Sequence, residues 1–298
     1  MLENITPLIL TYNEAANIGR TLAQLAWASD IVVVDSFSDD DTIKIVSSFS
    51  QVRVYQREFD SHAKQWSFGL KETGINSEWV LGLDADYVLT DESLAEIEAL
   101  SPGPDVKGYR AKFVYCINGK RLLSGIYPPV IALYRRMDGS YRQDGHTHKL
   151  VLKGKVEDLH SPILHDDRKP LRRWLEAQSR YTKLEADKLL SSEPASLSWT
   201  DRVRCWRVVA PAAMLVYCLV ARGGVLDGWA GFYYAFQRAL AELMLSLYLI
   251  DHDLSESERP APDHNQPRTN AELPQMNTDK TDQKDADAPR PMTGSVAT

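Results

Sequence analysis

The sequence predicts an α/β protein built on a largely parallel sheet. Over residues 5 to about 100, short β-rich apolar runs alternate with helical patterns. The runs are almost continuously apolar, as strands buried on both faces must be. Each run also ends in polar residues. Ligands of open α/β sheets bind at the carboxyl ends of the strands, so those polar ends are where a site is expected.

The first run, ITPLILTY, starts at Ile5, and helical patterning over 14–26 leads to IVVVD at 31–35. A second helix is expected over 41–49 before VRVYQ at 52–56, and a third over 61–72 before WVLGLD at 79–84. Residues 107–165 read as short strands and loops punctuated by Gly125, Pro128, Pro129, Gly139 and Gly145. Their strand candidates, AKFVYCI and VIALYRR, are expected to complete the same sheet. From Lys169 the pattern turns helical: Leu171, Trp174, Leu175, Gln178, Tyr181 and Leu184 recur at three- and four-residue spacing. Two more helices are expected over 199–221 and 229–250. The charge-free run 208–221 has 14 residues, with Pro211 inside it. That is short of the roughly 18–20 a bilayer span requires, so no single span is expected.

These patterns divide the chain into a sheet-bearing domain at 1–167, a helical extension at 168–254 and a tail at 255–298. The tail holds 6 of the 15 prolines, eight acidic side chains and no aromatic residue. It is expected to be disordered, because it cannot bury enough apolar surface to offset its conformational entropy. Across 298 residues, 44% hydrophobic and 25% charged content exclude fibrous and small disulfide-stapled classes. A net charge of −7 argues against a nucleic-acid partner, although residues 168–222 carry 11 Lys/Arg against 5 Asp/Glu. Three widely spaced cysteines offer neither a zinc pair nor a disulfide framework, and the opening MLENITPLIL lacks a secretory pattern. The working part is therefore expected in the cytoplasm.

Carboxylates mark two strand ends. The second strand closes in D35-S-F-S38-D-D40-D-T42 and the fourth in Asp84-Ala85-Asp86. Two carboxylates one residue apart on a strand point the same way. They suit a hard divalent cation such as Mg2+ or Mn2+, whose shell is completed by substrate phosphates, so a pyrophosphate-bearing substrate is implied. An isolated DxD triplet is a weak signal. This one follows an apolar strand and shares the sheet with a second acidic strand end, which strengthens it.

These residues resemble the inverting family-2 glycosyltransferases of the GT-A fold, in the opening T11-Y12-N13-E14, in Asp35, Ser38, Asp40 and Thr42, and in the DxD at Asp84 and Asp86. The bacterial branch similar to lipopolysaccharide-core β-glucosyltransferases shares the Asp-Gly-His region near residue 144, a later His and a helical C-terminus containing Asp-Gly. The resemblance covers about 4–250 and is strongest over 5–90. It implies a GT-A nucleotide-sugar-binding sheet with a helical C-terminal extension and acceptor binding in the second half. It places Thr11, Tyr12 and Glu14 around the donor base and ribose, Asp35 on the uracil or ribose, and Lys64 near the donor. Asp86 would hold the metal, with Asp84 near the ribose and phosphates. Each residue also has a plainer reading: a core-covering aromatic for Tyr12, a helix-start carboxylate for Glu14, turn and cap residues in the Asp35 segment, a solvated lysine for Lys64.

An inverting transfer needs a base that takes the acceptor hydroxyl proton on the face opposite the departing nucleotide. Asp144, in Q143-D-G-H146-T-H148, is the candidate the resemblance suggests, although Asp-Gly equally favours a turn and Gln143 stands where the family usually has Glu. His165 and His146 are candidates for a third metal ligand or a diphosphate contact. The reading that follows is a glycosyltransferase moving a sugar from a nucleoside-diphosphate donor, a UDP-hexose, to a lipid-linked or envelope-glycan acceptor. It would act on the cytoplasmic face of the inner membrane. Apolar helix faces with Trp206, Tyr217, Trp229, Tyr233 and Tyr234 beside Arg202, Arg204, Arg207 and Arg222 suit an anionic membrane surface, packing on the sheet or a homodimer being the alternative. Two rivals stand: a haloacid-dehalogenase-type phosphatase, because Asp84-Ala85-Asp86-Tyr87-Val88 fits its nucleophile motif, and a sugar-nucleotide-binding scaffold without catalysis. The phosphatase would need that motif on the first strand.

Overall fold

The structure, a computed structural model, describes residues 1–144 and 147–257. Four parallel strands form its centre: β1 (Ile5–Thr11), β2 (Ile31–Asp35), β3 (Val52–Gln56) and β4 (Trp79–Asp84). They lie in the order β3-β2-β1-β4. Alternate residues of each strand feed opposite layers. Ile9, Val33, Leu81 and Leu83 pack on one face with Leu22 and Ile97, while Leu8, Val32, Val34 and Val80 pack on the other with Trp66, Leu70 and Tyr134. This two-sided burial is why the strands lack polar alternation.

Helices α1 (Ile18–Ala23), α2 (Thr42–Val46) and α3 (His62–Glu72) make the crossovers. Helix α1 is shorter than the patterning over 14–26 predicts. The N–H groups of Asn13, Glu14 and Ala15 donate to the side chains of Ser38, Thr42 and Asp40, so this stretch is a tethered loop. Ser61 caps α3 by accepting from the Lys64 N–H. At Gly69 a Cβ would stand 2.7 Å from Leu8 Cδ1, so glycine lets α3 lie close on the sheet.

Residues 107–165 complete the central sheet only in part. After the two-residue strand β5 (Tyr87–Val88) and helix α4 (Asp91–Ala99), the chain forms β6 (Val106–Ala111), β7 (Phe113–Ile117), β8 (Lys120–Arg121) and β9 (Val130–Arg135). Then follow β10 (Gly139–Asp144), β11 (Thr147–Leu152), β12 (Lys155–Asp158) and β13 (Ile163–His165). Strands β9, β6 and β12 extend the sheet beyond β4, with β9 antiparallel to both neighbours. Strands β5, β13, β7 and β8 make a separate four-stranded sheet, and β10 and β11 an antiparallel ribbon. The expectation of one sheet fails because Ile163–His165 pairs with Phe113–Tyr115 and, on its other edge, with Tyr87 and Val88.

Helix α5 (Leu171–Ser191) opens the helical region. The helix expected over 199–221 is instead broken into α6 (Trp199–Arg204), α7 (Val209–Val216) and a π-helical turn, Tyr217–Ala221. Arg207 causes the break: it takes a left-handed φ of 49°, its carbonyl accepts from Ser246 Oγ, and its guanidinium pairs with Asp253. Pro211 is tolerated because it lies in the first turn of α7, where N–H groups have no helical partner. Helix α8 runs from Trp229 to Ser257, past the expected end at 250. Among the described residues no helix is long and apolar enough to cross a membrane.

Candidate active site

The chain enters the sheet at β1, winds outward through β2 and β3, and crosses back past β1 to form β4. The winding direction therefore reverses between β1 and β4, and the crevice at their carboxyl ends is where such sheets take ligands. Thr11 closes β1 and Asp84 closes β4, Asp84 pairing in register with Leu10.

Around this crevice the Asp35–Thr42 segment is clamped to the Tyr12–Ala15 loop. Asp35 is fully buried and accepts from Thr11 Oγ1 at 2.8 Å, from Ser38 N at 2.8 Å and from Ser38 Oγ at 2.5 Å. Gln56 Nε2 lies 3.4 Å from its second oxygen. Ser38 Oγ in turn accepts from Asn13 N, and Asn13 Oδ1 accepts from Asp39 N. Asp40 accepts from Ala15 N and from the backbone and hydroxyl of Thr42, and Thr42 Oγ1 accepts from Glu14 N. Asn13, at φ 56°, makes the sharp turn this needs; asparagine tolerates that left-handed conformation better than most residues. Asp35, Ser38, Asp40 and Thr42 are thus all engaged within the protein. A nucleotide contact from Asp35 would replace one of its present bonds.

The DxD carboxylates lie on the other side of the crevice. Asp84 ends β4 and Asp86 lies in the turn before β5, nearly buried. Asp86 Oδ2 is 3.1 Å from His165 Nε2, which β13 delivers by pairing His165 with Tyr87. The rings of Tyr87, Tyr115 and Tyr127 surround the imidazole at 5.1, 4.7 and 4.8 Å. Burial alone would raise the Asp86 pKa, but the charge and hydrogen bond of His165 outweigh it and hold the carboxyl below its ordinary value. Reciprocally, burial opposes protonation of His165, and Asp86, Asp84 and Asp167 more than reverse it. Asp84, desolvated and beside the Asp86 charge, is pushed up to about 6.

Glu14 closes the site from the β1 side. Its Oε1 is 2.6 Å from Lys169 Nζ and its Oε2 2.9 Å from Asn17 Nδ2, which also reaches Asp167 Oδ1 at 2.8 Å. Burial raises the Glu14 pKa to about 7 against the opposing pull of Lys169. Burial likewise disfavours the lysine charge, yet Glu14, Asp167 and Asp86 together hold its pKa above the ordinary value. We take the pair as ionised, because the ammonium donates directly to the carboxylate.

The fold therefore gathers Thr11, Glu14, Asp35, Asp84, Asp86 and His165 at or beneath one crevice. Tyr12 follows β1 with its ring about half exposed. Lys64 lies on the exposed face of α3, paired with Asp60 at 3.1 Å. Asp144 ends β10, ion-paired to Lys188 Nζ of α5 at 2.9 Å. The ribbon that carries it packs on α3, Trp66 stacking on Tyr141 and contacting His148. His146 lies outside the described residues. Lys169, Asn17 and the three tyrosines around His165 were not singled out from sequence; a lysine placed 155 residues from its carboxylate leaves no local signal.

Among the described residues no group of three or more His, Cys, Asp or Glu side chains is arranged to hold a metal unaided. His165 stands as a hydrogen-bond partner of Asp86 in this arrangement. The two carboxylates nevertheless fit Mg2+ or Mn2+, which are commonly held by one or two protein carboxylates together with substrate phosphates. Asp84 closes the fourth strand. The phosphatase reading needs that motif on the first, and so does not fit.

The family model for glycosyl transferase family 2 matches residues 8–139, from within β1 to the first residue of β10. Residues 8–139 are a glycosyl transferase family 2 domain. A glycosyltransferase domain thus occupies the sheet-bearing part of the chain, on a sheet whose central strands are parallel. It is 27% identical over 203 residues to the lipopolysaccharide core biosynthesis glycosyltransferase LpsC of Rhizobium meliloti, covering 63% of this chain and 72% of that protein. A glycosyltransferase of Rickettsia bellii is 33% identical over 173 residues, covering 55% of this chain and 57% of that protein. Among solved structures, S. aureus TarS 1-349 in complex with UDP-GlcNAc aligns at 14% identity with a TM-score of 0.45, over 85% of this chain and 92% of that one. Glucosyl-3-phosphoglycerate synthase from Mycobacterium tuberculosis aligns at 15% identity with a TM-score of 0.44, over 62% and 78%. Within the family 2 domain, residues 8–139 supply Thr11, Glu14, Asp35, Asp84 and Asp86, whereas His165 and Lys169 come from beyond it.

Proposed function

We propose that the chain is an inverting glycosyltransferase that takes a hexose from a UDP-sugar and transfers it to a hydroxyl of a lipid-linked or envelope-glycan acceptor. The observation that carries this reading is the Asp84 and Asp86 pair at the crevice between β1 and β4, with Lys169 close enough to influence both. The function named for the Rhizobium relative supports the acceptor class.

In this reading Asp86, with Asp84 beside it, would hold Mg2+ or Mn2+, which would supply Lewis acidity to the diphosphate leaving group. His165 fixes the Asp86 carboxylate through Nε2 and keeps it ionised. The exposed ring of Tyr12 offers the donor base a stacking face, while the Asp35 clamp shapes the loop beneath it. Glu14, braced by Lys169, borders the ribose, and Lys64 serves the outer rim of the donor site. Asp144 accepts the acceptor proton, and Lys188 orients its carboxylate. The helical part at 168–254 forms the acceptor side, on the cytoplasmic face of the inner membrane.

A thermal-shift panel of UDP-, GDP-, ADP- and dTDP-sugars, each with and without Mn2+, tests the donor assignment. A ligand that binds the folded state raises apparent stability by mass action. The expected result is a rise with UDP-sugars that depends on Mn2+. A response confined to another nucleotide overturns the UDP assignment, and no response to any of them overturns the reading.

A further inference from the structure

We infer that the hairpin of α7 and α8 is a lipid-inserting wedge, which anchors the protein on one face of a membrane without crossing it. The inference concerns the helical region alone and does not depend on the donor assignment.

The hairpin exposes an apolar face and turns most of its few polar side chains inward, among buried apolar ones such as Ala235, Leu245 and Leu249. Residues 208–250 contain four charged side chains, Arg222, Asp227, Arg238 and Glu242. Asp227 is buried and accepts from Leu123 N, Ser124 N and Ser124 Oγ. Glu242 is buried against Arg204, which donates to both of its oxygens. Arg238 is half-buried, leaving Arg222 as the one exposed charge of the four. Gln237 and Ser246 also face inward on α8, whereas Tyr233, Phe236, Leu240, Leu243 and Leu247 face outward. A helix face turned to water normally carries polar and charged side chains instead.

Exposure peaks at the turn between the two helices. Val220 is 72% exposed, Leu226 80% and Trp229 87%. From this turn the exposed apolar stripe continues along α8, so that lipid entering at the turn would meet a continuous apolar face. Arg222 lies beside that turn with its guanidinium donating to Gly125 O, a position from which a long cation can stay at the headgroup level. The turn is built to hold its shape. At Gly231 a Cβ would stand 1.9 Å from Gly224 O, and Gly223 and Gly228 take positive φ.

The structure also changes the kind of attraction. Arg204 is spent on Glu242 and Arg207 on Asp253, so these arginines do not present a free basic face to an anionic leaflet. Attachment would rest on apolar contact and resist salt, unlike a polybasic patch. The wedge is bolted to the catalytic half. Asp227 holds residues 123 and 124, Tyr234 Oη accepts from Ile126 N, and Tyr127 of the same segment packs against His165. Lipid entry would therefore fix the height of the crevice above the bilayer.

Flotation of the full chain with neutral phosphatidylcholine vesicles tests the inference, at low and at high salt, alongside light scattering without lipid. Wild-type protein should float at both salt concentrations. The double variant Leu226→Glu/Trp229→Glu should lose more than about tenfold of its vesicle partitioning, the scale expected when two large apolar side chains are denied hydrocarbon. It should keep the wild-type melting temperature, and Met137→Glu, exposed outside the hairpin, should float normally. If the double variant melts early, Val225→Glu provides the same readout. Wild-type protein that stays with the unbound fraction overturns the inference. So does flotation only with anionic lipid at low salt, or a dimer in lipid-free buffer that the double variant converts to monomer and that never floats.

Discussion

Lys169 Nζ donates to Glu14 Oε1 at 2.6 Å and so ties the segment between β13 and α5, 155 positions downstream, to the loop that follows β1. This bond joins the family 2 domain to the region beyond it at the edge of the crevice.

Lys169→Met should strand the Glu14 carboxylate in a largely buried position. The expected cost is on the order of 2 kcal/mol, below that of a fully buried pair because the lysine keeps some solvent access. Glu14→Gln in the same chain should restore part of the loss. Urea unfolding of the two single variants and the double variant checks both statements, and additive losses would contradict the coupling.

Asp86→Ala removes a proposed metal ligand and the partner of His165. Turnover stimulated by Mn2+ should fall by about a hundredfold or more, the scale of losing one electrostatic stabiliser in an active site. Initial rates of sugar transfer, or of donor hydrolysis, over a Mn2+ titration provide the measurement. A wild-type response would remove Asp86 from the metal site.

Asp144→Asn should bind donor normally and lose transfer, because an amide of the same shape takes no proton at neutral pH. Donor titration and transfer assay on a single preparation separate the two effects. Lys188→Met should retain more activity than Asp144→Asn if the lysine only orients the carboxylate.

His148 makes the ribbon of β10 and β11 sensitive to acid. Burial, with a smaller contribution from His62, lowers its pKa from 6.5 to about 4. The unfolded chain therefore takes up this proton first as pH falls. The contribution to stability is intact above about pH 6.5 and drains away toward pH 4, by on the order of 3 kcal/mol. Denaturant midpoints across this range should fall less steeply for His148→Phe than for the wild type.

The central strands were legible because each is a short apolar run whose two faces are both buried, as Leu8 and Ile9 illustrate. The DxD pair was legible as a motif, but the orientation of Asp86 was not: it lies in the turn after β4, and a three-residue strand nearly eighty positions away supplies its partner. Such short strands exist through long-range pairing and leave little local pattern. The shortened α1 was hidden for a similar reason, since the N–H groups of Asn13, Glu14 and Ala15 find side-chain acceptors in another loop. The break at Arg207 depends on contacts to Ser246 and Asp253 that helical periodicity does not encode.

The clamp from Asp35 to Thr42 bears on the redesign of this enzyme. Its four polar residues already satisfy one another and the neighbouring loop, so together they act as a hinge pin whose job is complete before any sugar arrives. Residues with their bonding capacity committed are poor places from which to retune substrate choice. Altered selectivity should be sought among side chains with free surface at the rim, with Tyr12 first, while the pin is left untouched.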